Sequence, residues 1–369
     1  MKIRVCHMSS VHGQEDVRIF HKECISLANF GYEVYLITRG NSYVKSGVKI
    51  VGVSNKKVPR IKRMLCITDE IYKKALKINA DIYHAHDPEL LPVCRKLKRK
   101  GKIVIFDSHE HVVSSINEKQ YLPRAIRNII KYIYSLYQRA VCVKLDAIIT
   151  ATPNVTEYFW GIGCKKVVDL CNFPILRKNK EPDYTSRTVV FAGSINKQWN
   201  HDTIIKAIEK IEDIKYILCG SSSEVYLDSI RSLEGWNKVE FRGRVPFEEV
   251  EDVLASSAIG LSLLSPGGNT DGINGNMANT KIFEEMMAGL PVICTGFKRW
   301  KVFVDKYECG ICVNPNNMEE VRKAIQALID SPKEMSRLGN NGRKAIEKEF
   351  NWGMEEKKLL SLYKELLKE

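Results

Sequence analysis

Short runs of β-branched and aromatic residues alternate with helical stripes along this chain, and they do so in two successive series. In the first series the strand candidates are Ile3–Met8, Glu33–Thr38, Lys49–Val53, Ile82–His84, Ile103–Asp107 and Ala147–Ala151. A helical stripe of Val17, Phe20, Cys24, Leu27 and Ala28 starts near Asp16 and closes at Asn29-Phe30-Gly31, where glycine suits the left-handed end of a helix. Another helix is expected over about residues 69–79. Alternation of this kind builds a parallel sheet with helices on both faces.

Residues 177–187 are polar and aperiodic and read as a linker. The second series follows. Its strands are Thr188–Ala192, Lys215–Gly220, Val239–Arg242, Ile259–Leu264, Val292–Thr295 and Gly310–Val313, with helices expected near 202–211, 247–256, 280–288, 317–331 and 333–348. The organisation is therefore α/β with two Rossmann-like domains, at 1–176 and 188–350, and a last helix over 351–369 carrying Leu359, Leu362, Tyr363 and Leu366. Several two-domain binding proteins and epimerases share that outline, so topology does not decide function.

A chain of 369 residues is long enough for two cores. No run of about 18 uncharged apolar residues is present, so no spanning helix is expected. The opening Met1-Lys2-Ile3-Arg4 is too short and polar for a secretory signal and reads as a first strand. The 11 cysteines show no paired metal spacing and fall mostly in apolar segments, as free thiols of a reducing compartment do. A cytoplasmic protein is expected. Charge is uneven: residues 1–180 carry 32 Lys and Arg against 15 Asp and Glu, while residues 181–369 carry 25 against 29. A basic first half suits an anionic partner such as a bilayer or an acidic acceptor. It lacks the interleaved aromatics of a nucleic-acid surface, so no nucleic acid is expected.

The run Asn279-Thr280-Lys281-Ile282-Phe283-Glu284-Glu285 begins a helix, and Gly289-Leu290-Pro291-Val292-Ile293 turns it into a buried strand. Free amides at a helix start, with Lys281 beside them, suit a diphosphate. Glu284, one turn on, can accept from a vicinal diol such as a ribose. An ordinary helix packed on a sheet explains the same spacing equally well.

The run resembles the donor-site signature of retaining glycosyltransferases of the GT-B fold, in the large family that includes sucrose synthase and many bacterial polysaccharide enzymes (the glycosyltransferase family 4 type). The resemblance extends over nearly the whole chain. It implies a GT-B fold with two Rossmann-like domains facing each other across a cleft and a C-terminal helix that crosses back to the first. It implies that Gly193 and Lys197, in Gly193-Ser194-Ile195-Asn196-Lys197-Gln198-Trp199, meet the donor diphosphate together with Lys281, Thr280 and Ile282. Trp199 stands where the family often has a second base. In Phe241-Arg242-Gly243-Arg244-Val245, Arg244 and Val245 become candidates for the base pocket. Many relatives carry a first Glu eight positions ahead of the second, and here that position is Asn276.

Two strand ends in the first half resemble family motifs as well. Asp81-Ile82-Tyr83-His84-Ala85-His86-Asp87 and Phe106-Asp107-Ser108-His109-Glu110 place His86, Asp87, His109 and Glu110 near a sugar, with His109 on a donor-sugar hydroxyl. In the first loop Gly13 would admit a diphosphate or acceptor, and Asp16 would either cap the next helix or meet the acceptor. His84, His86, His109 and His111 raise the question of a metal, but the resembling enzymes generally need none; no metal and no cofactor is expected. Tyr121–Lys144 mixes Ile126, Ile129, Ile130, Ile133 and Leu136 with Arg124, Arg127, Lys131 and Arg139, the pattern of a basic amphipathic helix. That helix either rests on an anionic membrane, at its cytoplasmic face, or packs on the sheet.

The expected activity is retaining transfer of a sugar from a nucleoside-diphosphate donor, UDP-sugar ahead of GDP-sugar, to a saccharide or lipid-linked saccharide acceptor in cell-surface polysaccharide synthesis. His109, Lys197, Lys281 and Glu284 are the catalytic candidates. A sugar-nucleotide epimerase of related outline and a sugar-nucleotide-binding protein that has lost catalysis are the competing readings.

Overall fold

The computed structural model describes residues 2–56, 59, 62–109, 112–116, 123–177, 180–267, 270–277 and 279–368. The chain forms two compact units, one of Met1–Asn172 with Gly353–Glu369 and one of Phe173–Trp352.

The first unit is built on eight strands: β1 (Arg4–Met8), β2 (Glu33–Arg39), β3 (Tyr43–Lys45), β4 (Val48–Val53), β5 (Ile82–Ala85), β6 (Ile103–Ser108), β7 (Ala147–Thr150) and β8 (Val167–Asp169). They lie in the order β3-β4-β2-β1-β5-β6-β7-β8, and β3 alone runs antiparallel to its neighbour. Leaving out the two edge strands, the order is that of a doubly wound sheet whose direction of growth reverses between β1 and β5. Alternate residues face opposite sides of a strand. Cys6, Met8, Tyr83, Ala85, Val104 and Phe106 enter one continuous apolar core. His7, His84, His86 and Asp107 occupy the other parity of the same three strands, and all four are buried.

That polar face is covered by the segment Val17–Cys24, wound as a π-helix, and by the last helix of the chain. Asp16 caps the first of these, accepting from Arg18 N at 2.9 Å and Ile19 N at 3.0 Å. The helix continues as Ile25–Phe30 and ends at Gly31 with φ +113°, as the glycine signal requires.

The second unit has six strands: β9 (Thr188–Ala192), β10 (Lys215–Cys219), β11 (Val239–Gly243), β12 (Ile259–Ser262), β13 (Val292–Thr295) and β14 (Gly310–Val313). All are parallel, in the order β11-β10-β9-β12-β13-β14, with the reversal between β9 and β12. Its core gathers Val189, Phe191, Ile204, Tyr216, Leu218, Ile259, Leu261 and Ile325.

Three helices matter below: α1 (Arg124–Cys142), α2 (Thr280–Met287) and α3 (Trp352–Leu367). α3 is docked on the first unit. Glu355 accepts from Cys171 N at 2.8 Å, Lys358 pairs with Asp169 at 2.9 Å, and Lys166 pairs with Glu365. No described helix is long and apolar enough to cross a membrane. All cysteines are free, and only Cys66 is fully exposed.

Candidate functional site

In doubly wound sheets ligands bind beyond the carboxyl ends of the strands, where the order reverses. Both units carry their candidate residues at such points.

In the second unit β9, β10 and β11 each run into a glycine: Gly193, Gly220 and Gly243. Gly220 has φ +145°, and a Cβ there would lie 1.7 Å from Gly193 O, so no larger residue fits. A Cβ on Gly193 would lie 2.0 Å from Lys281 Cε, so the lysine side chain passes directly over this glycine. The Lys281 ammonium sits 4.6 Å above the Trp199 ring and 5.8 Å from that of Phe191. Trp199 is buried and packs on Phe191 at 5.0 Å. The residue that departs from the family pattern is thus the aromatic platform on which Lys281 is held. Among the described residues no carboxylate comes within ion-pair distance of Lys281 Nζ. Burial pulls its pKa down, against the opposing fields of Glu284 and Glu285.

α2 starts at Asn279, whose side chain accepts from Lys281 N at 3.1 Å. One of the amides expected to be open to a diphosphate is therefore taken by the cap. Glu284 is half-buried on this helix, while Glu285 is fully buried and accepts from Ser262 Oγ at 3.0 and 3.1 Å. Burial drives the Glu285 pKa well above the usual carboxyl range. Thr280 is half-buried at the helix start and Ile282 is buried. Lys197 and Arg244 are exposed, and Val245 packs, half-buried, against the core. Asn276 is buried, with its carbonyl accepting from Trp300 Nε1 at 2.8 Å.

In the first unit the ends of β1 and β5 are tied together by Asp87. It accepts from Ser9 Oγ at 2.8 Å, Ser10 N at 2.6 Å and Val11 N at 3.2 Å, and pairs with His12 Nδ1 at 3.0 Å. Burial pushes the Asp87 pKa up, but His12 and the donated hydrogen bonds outweigh it and hold the group an anion. The same pairing raises His12 in spite of its burial.

Behind Asp87 lies a chain of imidazoles. His86 Nδ1 meets His109 Nε2 at 3.2 Å and His86 Nε2 meets His7 Nδ1 at 2.9 Å. His109 alone of these three has an exposed edge. Asp107 Oδ2 lies 3.4 Å from His109 Nε2 and 3.5 Å from His86 Nδ1. Arg18 forks onto both Asp107 oxygens at 2.9 and 3.1 Å and donates to Leu170 O at 2.7 Å. Burial alone would raise the Asp107 pKa. The Arg18 charge and the imidazoles reverse that and keep it low.

Around His12, Asp87 and His109 opens a cavity of about 640 Å³ walled by Met64, Leu65, Val112, Ile130 and Tyr134. Gly13 lies exposed in the adjoining loop with open space beside it. Asp16 Oδ1 caps the helix that follows, and Glu110 and His111 lie outside the described residues. On α1 the apolar stripe does not face the core. Ile129, Tyr132 and Ile133 are 59%, 65% and 61% exposed, and its buried contacts are confined to Gln138, Val141 and Cys142.

His7, Arg18, Glu23, Asp107 and Tyr363 were not singled out by the sequence. One signal was there: polar residues at alternate positions of strands whose other face is apolar.

The comparisons with known proteins agree with this architecture. A family model described as Glycosyltransferase Family 4 matches residues 18–170, and one described as Glycosyl transferases group 1 matches residues 172–345. An uncharacterized glycosyltransferase of Methanocaldococcus jannaschii is 24% identical over 200 residues, 52% of this chain and 48% of that protein. An MMP alpha-(1->4)-mannosyltransferase of Mycolicibacterium hassiacum is 28% identical over 106 residues, 28% of this chain and 24% of that protein. The chain thus spans about half or less of the length of these curated relatives. Among solved structures, the sucrose-phosphate synthase of Thermosynechococcus elongatus superposes with TM-score 0.76 at 17% identity, covering 99% of each chain. The Anabaena protein HepE, solved with UDP and glucose, superposes with TM-score 0.74 at 11% identity, covering 98% of this chain and 100% of that one. With one glycosyltransferase family model on each half and the same fold in these structures, the chain has the GT-B fold and is similar to glycosyltransferases of the family 4 type.

Proposed function

We propose that this chain transfers a sugar from a nucleoside-diphosphate donor, UDP-sugar ahead of GDP-sugar, to a hydroxyl of a saccharide or lipid-linked saccharide, with retention at the anomeric carbon and in the service of a cell-surface polysaccharide. The observation that carries this reading is Lys281: a cation seated on Trp199, over Gly193, with no carboxylate in ion-pair reach among the described residues. Such a group is prepared for an anion that arrives with the substrate. The comparison structures fit, since HepE was solved with UDP and glucose and an Escherichia coli trehalose-6-phosphate protein with UDP-2-fluoro glucose.

Breaking the bond from sugar to diphosphate builds negative charge on the leaving group. In the proposal Lys281 and the exposed Lys197 take up that charge, with Thr280 and Ile282 at the start of α2 and the glycine end of β9 at Gly193. Glu284 holds the ribose diol, and Arg244 and Val245 meet the base. Asn276, buried beside Trp300, acts on the donor by shaping the loop. Cationic side chains supply the electrostatics, so we propose a reaction without metal. In the first unit the cavity of about 640 Å³ takes the acceptor, its sugar towards His12, Asp87 and His109 and its apolar part along Met64, Leu65 and Ile130. His109 hydrogen-bonds a hydroxyl of the transferred sugar. Among the described residues no carboxylate of the cavity is a clear covalent nucleophile, which favours a front-face route through an ion pair. The exposed stripe of α1, flanked by Arg124, Arg127, Lys131 and Arg139, rests on an anionic leaflet.

The test is release of nucleoside diphosphate from a panel of UDP- and GDP-sugars, with and without saccharide acceptors. Lys281→Ala and Glu284→Ala are each expected to cut turnover at least tenfold, a barrier of about 1.4 kcal/mol. Rates equal to wild type in both variants would refute the donor assignment. Interconversion of the sugar with no acceptor present would make the chain an epimerase.

A further inference from the structure

The imidazole chain does not end at His7. His7 Nε2 lies 3.3 Å from the hydroxyl of Tyr363 on α3, and that hydroxyl lies 2.9 Å from His84 Nδ1. A continuous path therefore runs from His84 through Tyr363, His7 and His86 to His109. Four of these five groups are completely enclosed or nearly so, at 0–1% exposure.

The same side chains pass a first inspection as a metal site, because His7, Glu23, His84 and His86 bring one donor atom each to within 4.8 Å of the others. Their directions do not fit. The His7 and His86 nitrogens are 2.9 Å apart while the ring centroids are 5.1 Å apart and the planes differ by 19°. The two rings meet edge to edge along the line of their nitrogens, so each lone pair points at the other ring. That is the geometry of a proton between two nitrogens. Two imidazoles sharing a metal ion would both have to turn towards a third point, about 2.0–2.1 Å from each nitrogen. Glu23 stays 3.9 Å from each imidazole nitrogen and has Arg18 Nε at 3.1 Å.

A neutral imidazole has one N–H and one lone pair, so the protons of Tyr363, His7 and His86 are ordered together, with Asp107 Oδ2, 3.5 Å from His86 Nδ1 and 3.4 Å from His109 Nε2, a second acceptor at the His109 end. In one order Tyr363 donates to His84, and His84 Nε2 must then carry the hydrogen. That nitrogen is buried without a hydrogen-bond partner, the nearest carboxylate oxygen, Asp107 Oδ2, being 3.9 Å away, and an orphaned buried N–H is the rarer fault. In the other order His84 Nδ1–H donates to Tyr363, Tyr363 O–H to His7 Nε2, His7 Nδ1–H to His86 Nε2, and His86 Nδ1–H towards His109 Nε2. His109 then carries its hydrogen on Nδ1.

We propose that Tyr363 is a positioning residue which, through His7 and His86, fixes His109 as the Nδ1–H tautomer and so makes it a hydrogen-bond donor with a set direction. The inference rests on the reading of His109 as the group that contacts the sugar. It gives α3 a role beyond packing, since one hydroxyl on that helix orders a histidine some 250 residues away in sequence.

The experiment is nitrogen NMR of the full chain labelled in its histidine rings, with and without Tyr363→Phe, together with steady-state kinetics. The wild type is expected to show His7, His86 and His109 each as a single Nδ1–H tautomer at neutral pH. In Tyr363→Phe, which keeps the ring and the packing, His7 and His109 are expected to populate both tautomers. The kcat should fall about three- to tenfold with donor KM unchanged within twofold. Nε2–H tautomers of His7 and His86 in the wild type would overturn the proposal without any variant. So would one divalent cation bound per chain, or tautomers that do not respond to loss of the hydroxyl. If the tautomers shift as expected but His109→Ala turns over like wild type, the proton order stands and the assigned role of His109 falls.

Discussion

The two units share one strand order yet bury opposite kinds of polar group. Seven of the eight histidines of the chain fall in the first unit, and three of them, His7, His84 and His86, are sealed under Tyr363 and Glu23. The second unit has only His201, bonded to Tyr216, and spends its polar interior on Glu285, hydrogen-bonded to Ser262, and a lysine held on a tryptophan. The difference teaches where each kind of chemistry has been placed. Linked buried imidazoles belong to the first unit, and a cation with no carboxylate in ion-pair reach among the described residues belongs to the second.

Acidification is the strongest way to break this comparison. Burial, then mutual repulsion, lowers His7 and His84, and burial brings His86 down to about 4. A base whose folded pKa is depressed binds fewer protons folded than unfolded. Its contribution is therefore present above the unfolded value near 6.5 and is lost as pH falls. Asp87 and Asp107, held low, act in the same sense below the usual carboxyl range. Glu23, raised by burial and by Asp107, opposes them in the first unit, as do Glu355, raised by burial, and His12, raised by its pairing with Asp87. In the second unit Glu285 is raised, so its contribution grows on acidification, and His201, lowered to about 3, offsets it. Hydrogen exchange at pH 7 and pH 4.5 should show protection lost first in β1, β5 and β6, with His86 alone accounting for on the order of 3 kcal/mol. Equal loss in the two units would remove the distinction.

A smaller effect sharpens it from the other side. A Cβ on Gly260 would lie 2.6 Å from Glu285 Cδ. Gly260→Ala should destabilise the second unit by about 1–3 kcal/mol in urea unfolding while β1 and β5 keep their protection. Smaller still, Trp199→Leu removes the platform under Lys281 and should weaken donor binding by about 0.5–2 kcal/mol, read as a rise in KM with the melting of the first unit unchanged.

Much of the fold was open to reading because buried parallel strands are near-continuous apolar runs bounded by turn residues. Thr188–Ala192, Val292–Thr295 and Gly310–Val313 lie where the pattern sets them. Tyr43–Lys45 and Val167–Asp169 escaped notice, since three-residue edge strands carry no period. The site was legible only in pieces. Lys281 and Glu284 stand out locally, whereas the pairing of Lys281 with Trp199 joins positions 82 apart and was read as a missing base. Asp16 left two readings open, and its Oδ1 makes the cap hydrogen bonds of the local one. The α1 helix also left two readings: its last turn packs in the core through Val141 and Cys142, while its isoleucines face outward.

The central claim is that Lys281 is kept free for the diphosphate of the donor. A crystal structure of the chain soaked with UDP tests it most directly. The account predicts a phosphate oxygen within hydrogen-bond distance of Lys281 Nζ, above Gly193, with the ribose on Glu284. A nucleotide bound elsewhere, with Lys281 still resting on Trp199 and no phosphate beside it, would contradict it.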